Sequence, residues 1–361
     1  MNVPTLRFKE FKDEYINLKY KDVLKIKSGK DQKQVELESG IYPILGTGGQ
    51  IGKTNSFLYD KPSVLIGRKG TINKPQYMET PFWTVDTLLY SHIYEPNIPK
   101  YLFYSFQNVN WKKYDESTGV PSLSSSTIES VECNIPSKEE QLKIANFLSL
   151  LDKKIELQSK KIEDLKLFKL YAKNKLFERY ERRYKLKNII IKWNKKNKDN
   201  SIEYVESISN KSGFISQTNQ FEDRKVASKD LKNYYVIEKG VFGYNPSRLN
   251  VGSLALKMND TVSVVSPLYE CFTTTQNNEY LLEWFDSKFF RKEIISKFEG
   301  GVRNTLNFSN LCDVEIGLPS IERQNKCAVF FKTINNKIEL EIKKMCKLKD
   351  LKKGLMQRMF I

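Results

Sequence analysis

Residues 131–147, VECNIPSKEEQLKIANF, reappear as VEIGLPSIERQNKCAVF at residues 314–330. The match continues without a gap, and residues 131–177 and 314–360 share 19 identities in 47 positions. Similarity over such a length at one fixed offset indicates an internal duplication. The chain therefore consists of two halves, and each half ends in the same segment.

The repeated segment has the apolar spacing of a long helix. Apolar residues follow one another in steps of three and four between charged flanks, which is typical of a coiled coil. The predicted seam comprises Leu148, Leu151, Ile155, Ile162 and Leu165 in the first copy and Phe331, Ile334, Ile338, Met345 and Leu348 in the second. Ser137 with Glu140 fits a capping box, a pattern that Arg323 breaks in the second copy. At about 1.5 Å per residue, roughly 35 residues would span on the order of 50 Å.

A block with strand-like runs and turn residues precedes each helix. The repeated helices are similar, whereas the preceding blocks match weakly and differ in their polar loops. The sequence therefore predicts an α+β fold with two duplicated globular domains, each followed by a long helix. The predicted boundaries are 1–137 and 186–320 for the domains, and 138–185 and 321–361 for the helices.

The charge balance indicates the kind of partner. The 361 residues include 60 Lys and Arg against 43 Asp and Glu, which gives a net charge of +17. A chain this basic is expected to bind a polyanion, an acidic protein surface or an anionic membrane. Residues 153–187 carry +8 and residues 332–358 carry +6, so most of the excess lies on the predicted helices. These helices could face DNA phosphates or an acidic partner protein.

Residues suited to catalysis or metal binding are scarce. The chain has one histidine, His92, and five scattered cysteines without a C-x-x-C pair, which excludes a His-rich metal site and is typical of a reducing compartment. We therefore expect no catalytic residue and no bound metal. The charged N-terminus is unlike a signal peptide, and the apolar runs are too short to cross a bilayer, so the expected location is the cytoplasm.

One segment approaches a nucleotide-binding motif. Residues 44–55, ILGTGGQIGKTN, end in the Gly-Lys-Thr of a phosphate loop, but Thr47 stands where the first glycine should be. The apolar strand and long helix that flank such a loop are also missing. A glycine-rich loop in a β-type domain is the favoured interpretation, and a stand-alone nucleotide-dependent enzyme is the less favoured one.

The loops of both predicted domains are rich in residues that read DNA. Arg and Lys donate to guanine, Asn and Gln pair with adenine, and hydroxyl groups hold phosphates. The candidates are Lys53, Thr54, Asn55, Arg68, Lys69, Thr71, Asn73 and Lys74 in the first domain, and Arg224, Lys225, Tyr244, Asn245, Arg248, Arg303 and Asn304 in the second. Because such a set occurs twice, it favours a DNA-binding protein.

These segments resemble the specificity (S) subunit of type I restriction-modification systems. The resemblance covers nearly the whole chain and includes VPTLRFKEF at 3–11, SGIYPILGTGGQIG at 39–52 and VLIGRKGTI at 64–72. Both copies of the Pro-Ser-x-Glu-x-Gln start and the helix that follows carry it most strongly. The second domain lacks the GTGG and RKG loops, which puts a residue-by-residue transfer in doubt there.

The resemblance implies two target recognition domains joined by an antiparallel coiled-coil spacer. Each domain would read one half of a split, asymmetric DNA sequence, and the chain itself would be non-catalytic. Its partners would be double-stranded DNA, two methyltransferase (M) subunits and two restriction (R) subunits. These partners would carry S-adenosylmethionine, ATP and Mg²⁺, and would methylate adenine or cleave the DNA. The main alternative is a coiled-coil scaffold with two protein-binding heads, and an RNA-binding protein is less favoured because no RNP-type aromatic motif is present.

Overall fold

The computed structural model describes residues 3–178, 183–210, 212–217, 230–295, 297 and 305–361. The chain forms two compact units, one of Met1–Lys160 with Lys343–Ile361 and the other of Lys161–Ile342. Each unit contains one of the predicted domains and part of each long helix. The unit boundary therefore falls within the helices and not at their ends.

The first domain is built from short helices and from sheets whose strands are antiparallel except for the parallel pair β4–β8. Its strands are β1 (Ile16–Lys19), β2 (Leu24–Lys27), β3 (Glu36–Leu37), β4 (Tyr42–Gly46), β5 (Gly49–Thr54), β6 (Ser63–Gly67), β7 (Gln76–Met78), β8 (Trp83–Thr84), β9 (Leu88–Ile93) and β10 (Glu132–Ile135), and its helices are α1 (Tyr20–Val23), α2 (Pro99–Asn108) and α3 (Ser125–Ser130). One sheet has the order β2-β9-β6-β7, a second has the order β3-β5-β4-β8, and β1 pairs with β10. Every residue of β6 is buried, as expected of an inner strand, whereas β2 alternates buried and exposed residues.

The second domain repeats the first of these sheets. Its strands are β11 (Arg183–Lys185), β12 (Ile190–Lys192), β13 (Glu206–Ser209), β14 (Gly213–Ser216), β15 (Tyr235–Ile237), β16 (Phe242–Tyr244), β17 (Leu254–Leu256), β18 (Ser263–Val265), β19 (Glu270–Thr274) and β20 (Glu315–Gly317). The sheet β12-β19-β16-β17 matches β2-β9-β6-β7 in order, and β11–β20 matches β1–β10. The β13–β14 and β15–β18 ribbons stand where the first domain has its second sheet. The duplication therefore includes the domains, although their sequences match only weakly.

The remaining helices are α4 (Lys138–Phe177), α5 (Asn278–Phe285), α6 (Lys288–Ile295), α7 (Phe308–Cys312) and α8 (Ile321–Met359). Helices α4 and α8 are the two predicted long helices, and they are 40 and 39 residues long. In the second unit Lys161 pairs with Glu341 at 3.0 Å, and the ring of Phe177 stacks on that of Phe331 at 6.1 Å, so the two helices run antiparallel. Among the described residues, no helix is both long and apolar enough to cross a membrane.

One predicted helix boundary is wrong. The first long helix was expected to continue to residue 185, but it ends at Phe177. Arg183–Lys185 instead forms β11, which pairs with Glu315–Gly317. Pairing with this distant strand decides the structure of the three residues, and the sequence around them does not indicate that partner.

The predicted seam residues lie on the inner sides of the two helices. Leu148, Ile162, Phe331 and Ile334 are buried, and Leu151, Ile155, Leu165, Ile338, Met345 and Leu348 are half-buried. In the first unit Leu148 belongs to the same apolar cluster as Met356 and Met359, and in the second unit Phe177 clusters with Phe331. The seam is therefore continuous with the core of each domain.

Each long helix is fixed at its start by a buried glutamine. Gln141 accepts a hydrogen bond from the backbone N–H of Ile98 at 2.9 Å and donates to the carbonyl of Pro136 at 3.1 Å. Its duplicate, Gln324, accepts from the N–H of Asn277 at 3.1 Å and donates to the Pro319 carbonyl at 3.0 Å. Ile98 and Asn277 are the N-cap residues of α2 and α5, so each glutamine joins a long helix to a helix of its own domain.

The predicted capping box is half realised. The Ser137 hydroxyl accepts from the N–H of Glu140 at 3.3 Å, and Ser320 accepts from the N–H of Arg323 at 3.4 Å. The Glu140 carboxylate, however, is bound by both nitrogens of the Arg7 fork at 2.8 and 2.7 Å. The N-terminal segment thus supplies the partner of this buried acid.

Candidate nucleic-acid interface

The loop between β6 and β7 displays most of the candidates of the first domain. The side chains of Arg68, Lys69, Asn73 and Lys74 are exposed, and Thr71 is half-buried. The backbone beneath them is fixed, because the N–H of Arg68 donates to the carbonyl of Thr87 at 2.8 Å, and the Arg68 carbonyl accepts from the N–H of Leu123 at 2.9 Å. Basic side chains therefore extend into solvent from an immobilised loop.

A glycine makes the sharp start of this loop possible. A Cβ atom on Gly67 would lie 2.4 Å from the carbonyl oxygen of Thr71, which no side chain tolerates. It would also lie 3.3 Å from the methyl group of Thr47, at the tip of the β4–β5 hairpin. Gln76 fixes that tip by donating to the carbonyl of Gly46 at 2.9 Å. The hairpin tip and the β6–β7 loop therefore lie side by side.

A third segment, residues 115–124, completes the cluster. Gly70 donates its N–H to the carbonyl of Pro121 at 2.8 Å. The Asp115 carboxylate accepts from the N–H of Ser122 at 2.9 Å and from both the N–H and the hydroxyl of Ser117. These hydrogen bonds, first of all the one from the Ser122 backbone, lower the pKa of Asp115 below its ordinary value of 3.8. A charged aspartate therefore shapes the segment beside the basic loop.

We predict that Asp115→Asn will loosen residues 115–124. The stabilisation from a depressed carboxylate pKa is complete above the unfolded pKa and is lost as the pH falls through the folded pKa, so in the native chain it disappears only below about pH 4. The substitution imposes the same loss of charge at neutral pH. Amide hydrogen exchange of Ser117 and Ser122 should become faster, while exchange in β9 stays unchanged. Unaltered exchange at both serines would contradict this role of Asp115.

The other candidates of the first domain lie elsewhere. Lys53 lies at the far end of β5, away from the tip at Thr47, and Asn55 directly follows the strand and accepts from the N–H of Ile41 at 3.2 Å. Thr54 was a candidate on residue type, but its side chain is completely buried, so it is not available to DNA. The phosphate-loop interpretation also fails, because Gly52 and Lys53 are part of a strand and not of a loop that leads into a helix.

The second domain places its candidate arginine in the equivalent loop. Pro246 accepts from the N–H of Leu306 at 3.1 Å, which repeats the bond between Arg68 and Leu123 in the first domain. Arg248 is exposed in the 3-10 helix Pro246–Val251 of the β16–β17 connection.

Two of the remaining candidates in this domain have roles within the fold, one as a helix cap and the other as part of the core. Asn245 is half-buried and caps the 3-10 helix by accepting from the N–H of Ser247 at 3.0 Å. Tyr244 was a candidate, but it is completely buried in the apolar cluster and is not available to DNA. Four other candidates lie outside the described residues, namely Arg224, Lys225, Arg303 and Asn304.

Several residues that shape the interface were not among the sequence candidates. Asp115 and Gln76 shape the loops by binding backbone groups of the chain itself, and Gly67 does so by leaving room for the Thr71 carbonyl. The duplication contained a signal that could have found part of this arrangement, because Leu123 and Leu306 stand at the same offset as the repeated helices. Their backbone N–H groups mark the equivalent loops of the two domains.

Comparison with known proteins defines the class. Residues 12–167 match the family described as type I restriction modification DNA specificity domain. The MjaVIII type I restriction enzyme specificity subunit of Methanocaldococcus jannaschii is 23% identical over 294 residues, which cover 71% of this chain and 68% of that protein.

Solved structures share the fold over almost the entire chain. The S subunit of a type I restriction-modification system from M. genitalium aligns with a TM-score of 0.68 at 14% identity and covers 99% of both chains. A chain from a structure that addresses complex assembly and conformational transition of the type I R-M system aligns with a TM-score of 0.55 at 12% identity, covering 95% of this chain and 96% of that one.

Together, these findings show two duplicated α+β domains and two long helices, with a type I restriction modification DNA specificity domain matched over residues 12–167. The chain is similar to specificity subunits of type I restriction-modification systems. The specificity subunits that it is similar to are the non-catalytic members of these systems.

Proposed function

We propose that this chain reads a bipartite, asymmetric DNA sequence, one half with each domain, and directs adenine methylation or cleavage by its partner subunits. The observation that carries the proposal is the equivalence of the two exposed basic loops. Arg68 and Arg248 lie on the connection between matching strands, and one matching backbone hydrogen bond fixes each loop. Because the loops differ in sequence, the two half-sites should differ as well.

Each half-site would be bound through two kinds of contact, one to phosphates and one to bases. Lysines such as Lys69 and Lys74 are suited to phosphates, which provide salt-dependent affinity without sequence choice. The planar fork of Arg68 is suited to the two acceptors of a guanine, which provides the choice. The immobilised backbone beneath Arg68 supports this assignment, since a base contact requires a fixed starting point.

In this proposal the long helices determine the gap between the half-sites. Half-sites one turn of DNA apart are separated by about 34 Å, which is within the span of a helix of this length. We predict that paired four-residue insertions, after Lys160 in α4 and after Ile342 in α8, will lengthen the recognised gap and leave the half-sites unchanged. Genome-wide methylation mapping measures both properties. A matched insertion in the exposed loop at residues 31–34 should leave the gap as it is. Weakened methylation that is still confined to the original gap in the helix variant would contradict the spacer role.

The partners would supply the chemistry. We propose two methyltransferase and two restriction subunits per complex, with S-adenosylmethionine, ATP and Mg²⁺ bound by these subunits and the complex located in the cytoplasm. The high positive charge of the helices supports binding to an acidic partner surface or to DNA.

The proposal is tested by expressing the chain with a candidate methyltransferase subunit and mapping N6-methyladenine throughout the genome. A split motif that appears only when the chain is present would support the reader function and would give the target sequence. Copurification without any change in methylation would favour the scaffold with two protein-binding heads. The absence of both methylation and copurification would overturn the proposal.

A further inference from the structure

One helix of each domain, α2 or α5, lies against the long helices in a way that permits residue-by-residue comparison. The glutamine contacts align Ile98 with Asn277, the N-cap residues of α2 and α5. From that point YLFYSF at 101–106 stands over YLLEWF at 280–285. Tyr104 therefore corresponds to Glu283, and the long helices correspond at their constant offset.

In the second unit, the domain helix presents an acid to lysines of the long helix. Glu283 is bound by Lys169 and Lys173 of α4, each at 2.8 Å, and by the side-chain amide of Asn335 of α8 at 3.0 Å. Burial alone would raise the pKa of Glu283, but Lys173 and Lys169 hold that pKa below its ordinary value. The carboxylate is therefore charged although it is largely buried.

Two further ion pairs extend this contact to both ends of α5. Glu279 binds Lys332 at 3.1 Å, and Asp286, the C-cap residue, binds Lys173 at 2.6 Å. Successive positions among 279, 283 and 286 are about one helical turn apart, so the three acids lie on one side of α5 and its C-cap. This face carries a charge of −3 and meets three lysines.

In the first unit, the acid lies on the long helix instead. Asp152 of α4 accepts from the Tyr104 hydroxyl at 2.8 Å and from Lys352 of α8 at 2.6 Å. Lys352 also donates to Gln107 at 3.4 Å and lies 5.0 Å from the centroid of the Tyr104 ring. The corresponding face of α2 consists of Lys100, Tyr104 and Gln107, and it contains no acid.

The long-helix residues that contact α2 differ from those that contact α5, and in each case their charges complement those of the domain helix. Lys352 corresponds to Lys169, Asp152 to Asn335, Ser149 to Lys332 and Met356 to Lys173. The three lysines at the second site face three acids. The first site has one lysine, which the neighbouring Asp152 neutralises.

We propose that this exchange of charge is a seating code, which assigns each domain to its own part of the helix pair. At the other site, the acidic face of α5 would meet Asp152 and a single lysine. The face of α2 would in turn leave Lys173, whose side chain is only 5% exposed, without an acid from the domain helix. Burying a charge without its partner is strongly unfavourable. If the proposed function holds, the code also fixes the order of the two half-sites along the DNA.

The code is tested in the full chain by comparing the melting temperatures of Tyr104→Glu and Tyr104→Gln, whose order should reverse when Asp152 is replaced. Tyr104→Glu and Tyr104→Gln remove the same ring and differ only in charge, so comparing them cancels the lost packing. With native Asp152, Tyr104→Glu should melt at a temperature about 3–6 °C below Tyr104→Gln, because two carboxylates then share Lys352. In the Asp152→Asn background, in which position 152 matches Asn335 of the second site, Tyr104→Glu should be the more stable of the two.

The second unit provides the matched control. Glu283→Gln should lower the melting temperature when Asn335 is native, and this loss should shrink when Asn335→Asp is also present. If the difference between Glu and Gln is the same in both backgrounds at both sites, the seating code is overturned. These measurements use no DNA, so the code can hold even if methylation mapping refutes the proposed reader function.

Discussion

Glu206→Leu is expected to destabilise the second domain more than any other single change considered. Glu206 and Lys257 form an ion pair in which the side chain of Glu206 is 3% and that of Lys257 0% exposed, and Ser263 also donates to the carboxylate. Removing the acid leaves a buried ammonium group without its partner, which costs about 3–5 kcal/mol. Urea unfolding should therefore show a much lower midpoint for this variant.

The double variant Glu206→Leu with Lys257→Met provides the control. Because the desolvation cost of both charges disappears together, its unfolding free energy should return to within about 1–2 kcal/mol of the native value. Lys239→Ala removes a lysine from an exposed ion pair with Asp260 and should change stability by less than about 1 kcal/mol. A single variant as stable as the native chain would show that the buried charge is not held there.

Arg68→Ala should abolish discrimination in one half-site and leave the other intact. A bidentate contact to guanine contributes about 1–3 kcal/mol of discrimination, which corresponds to roughly a 5–150-fold preference. Competition binding by the assembled complex, with each base of the target varied in turn, measures this preference directly. Arg248→Ala should have the corresponding effect on the opposite half-site.

Lys53→Ala is the matched control for Arg68. Its side chain is exposed on the same hairpin, but at the end away from Thr47 and the basic loop. It should leave base preference unchanged. If Arg68→Ala weakens binding equally for all sequences and reduces the salt dependence by one phosphate contact, then Arg68 binds the backbone and not a base.

The helices could be predicted well because their apolar spacing is visible within a short stretch of sequence and occurs twice in the chain. The seam residues stand at spacings of three and four, and the second copy confirms each position independently. The end at Phe177 could not be predicted, because Arg183–Lys185 becomes a strand only through pairing with Glu315–Gly317, about 130 residues further along the chain. A segment of three residues has too little pattern to reveal such a partner.

The candidate interface was predicted only in part, because residue type does not reveal where a side chain points. Thr54 and Tyr244 have side chains suited to DNA, yet each belongs to the inner side of a short strand. Arg68 and Arg248 are exposed, as expected because charged residues rarely lie in a core, and their contact with DNA stays a prediction. Asp115 binds backbone groups of its own segment, and the amino-acid composition of a loop does not indicate such a role.

The pairing of β1 with β10 places the first and last strands of the first domain side by side. Ile16 stands opposite Ile135, and in the second domain Arg183 stands opposite Gly317. Because the strands at its two ends pair with each other, the segment between them can be exchanged for another without displacing the chain on either side. If the proposed function holds, genetic recombination could give the protein a new target in a single step, provided that the incoming segment carries the helix face that its position requires.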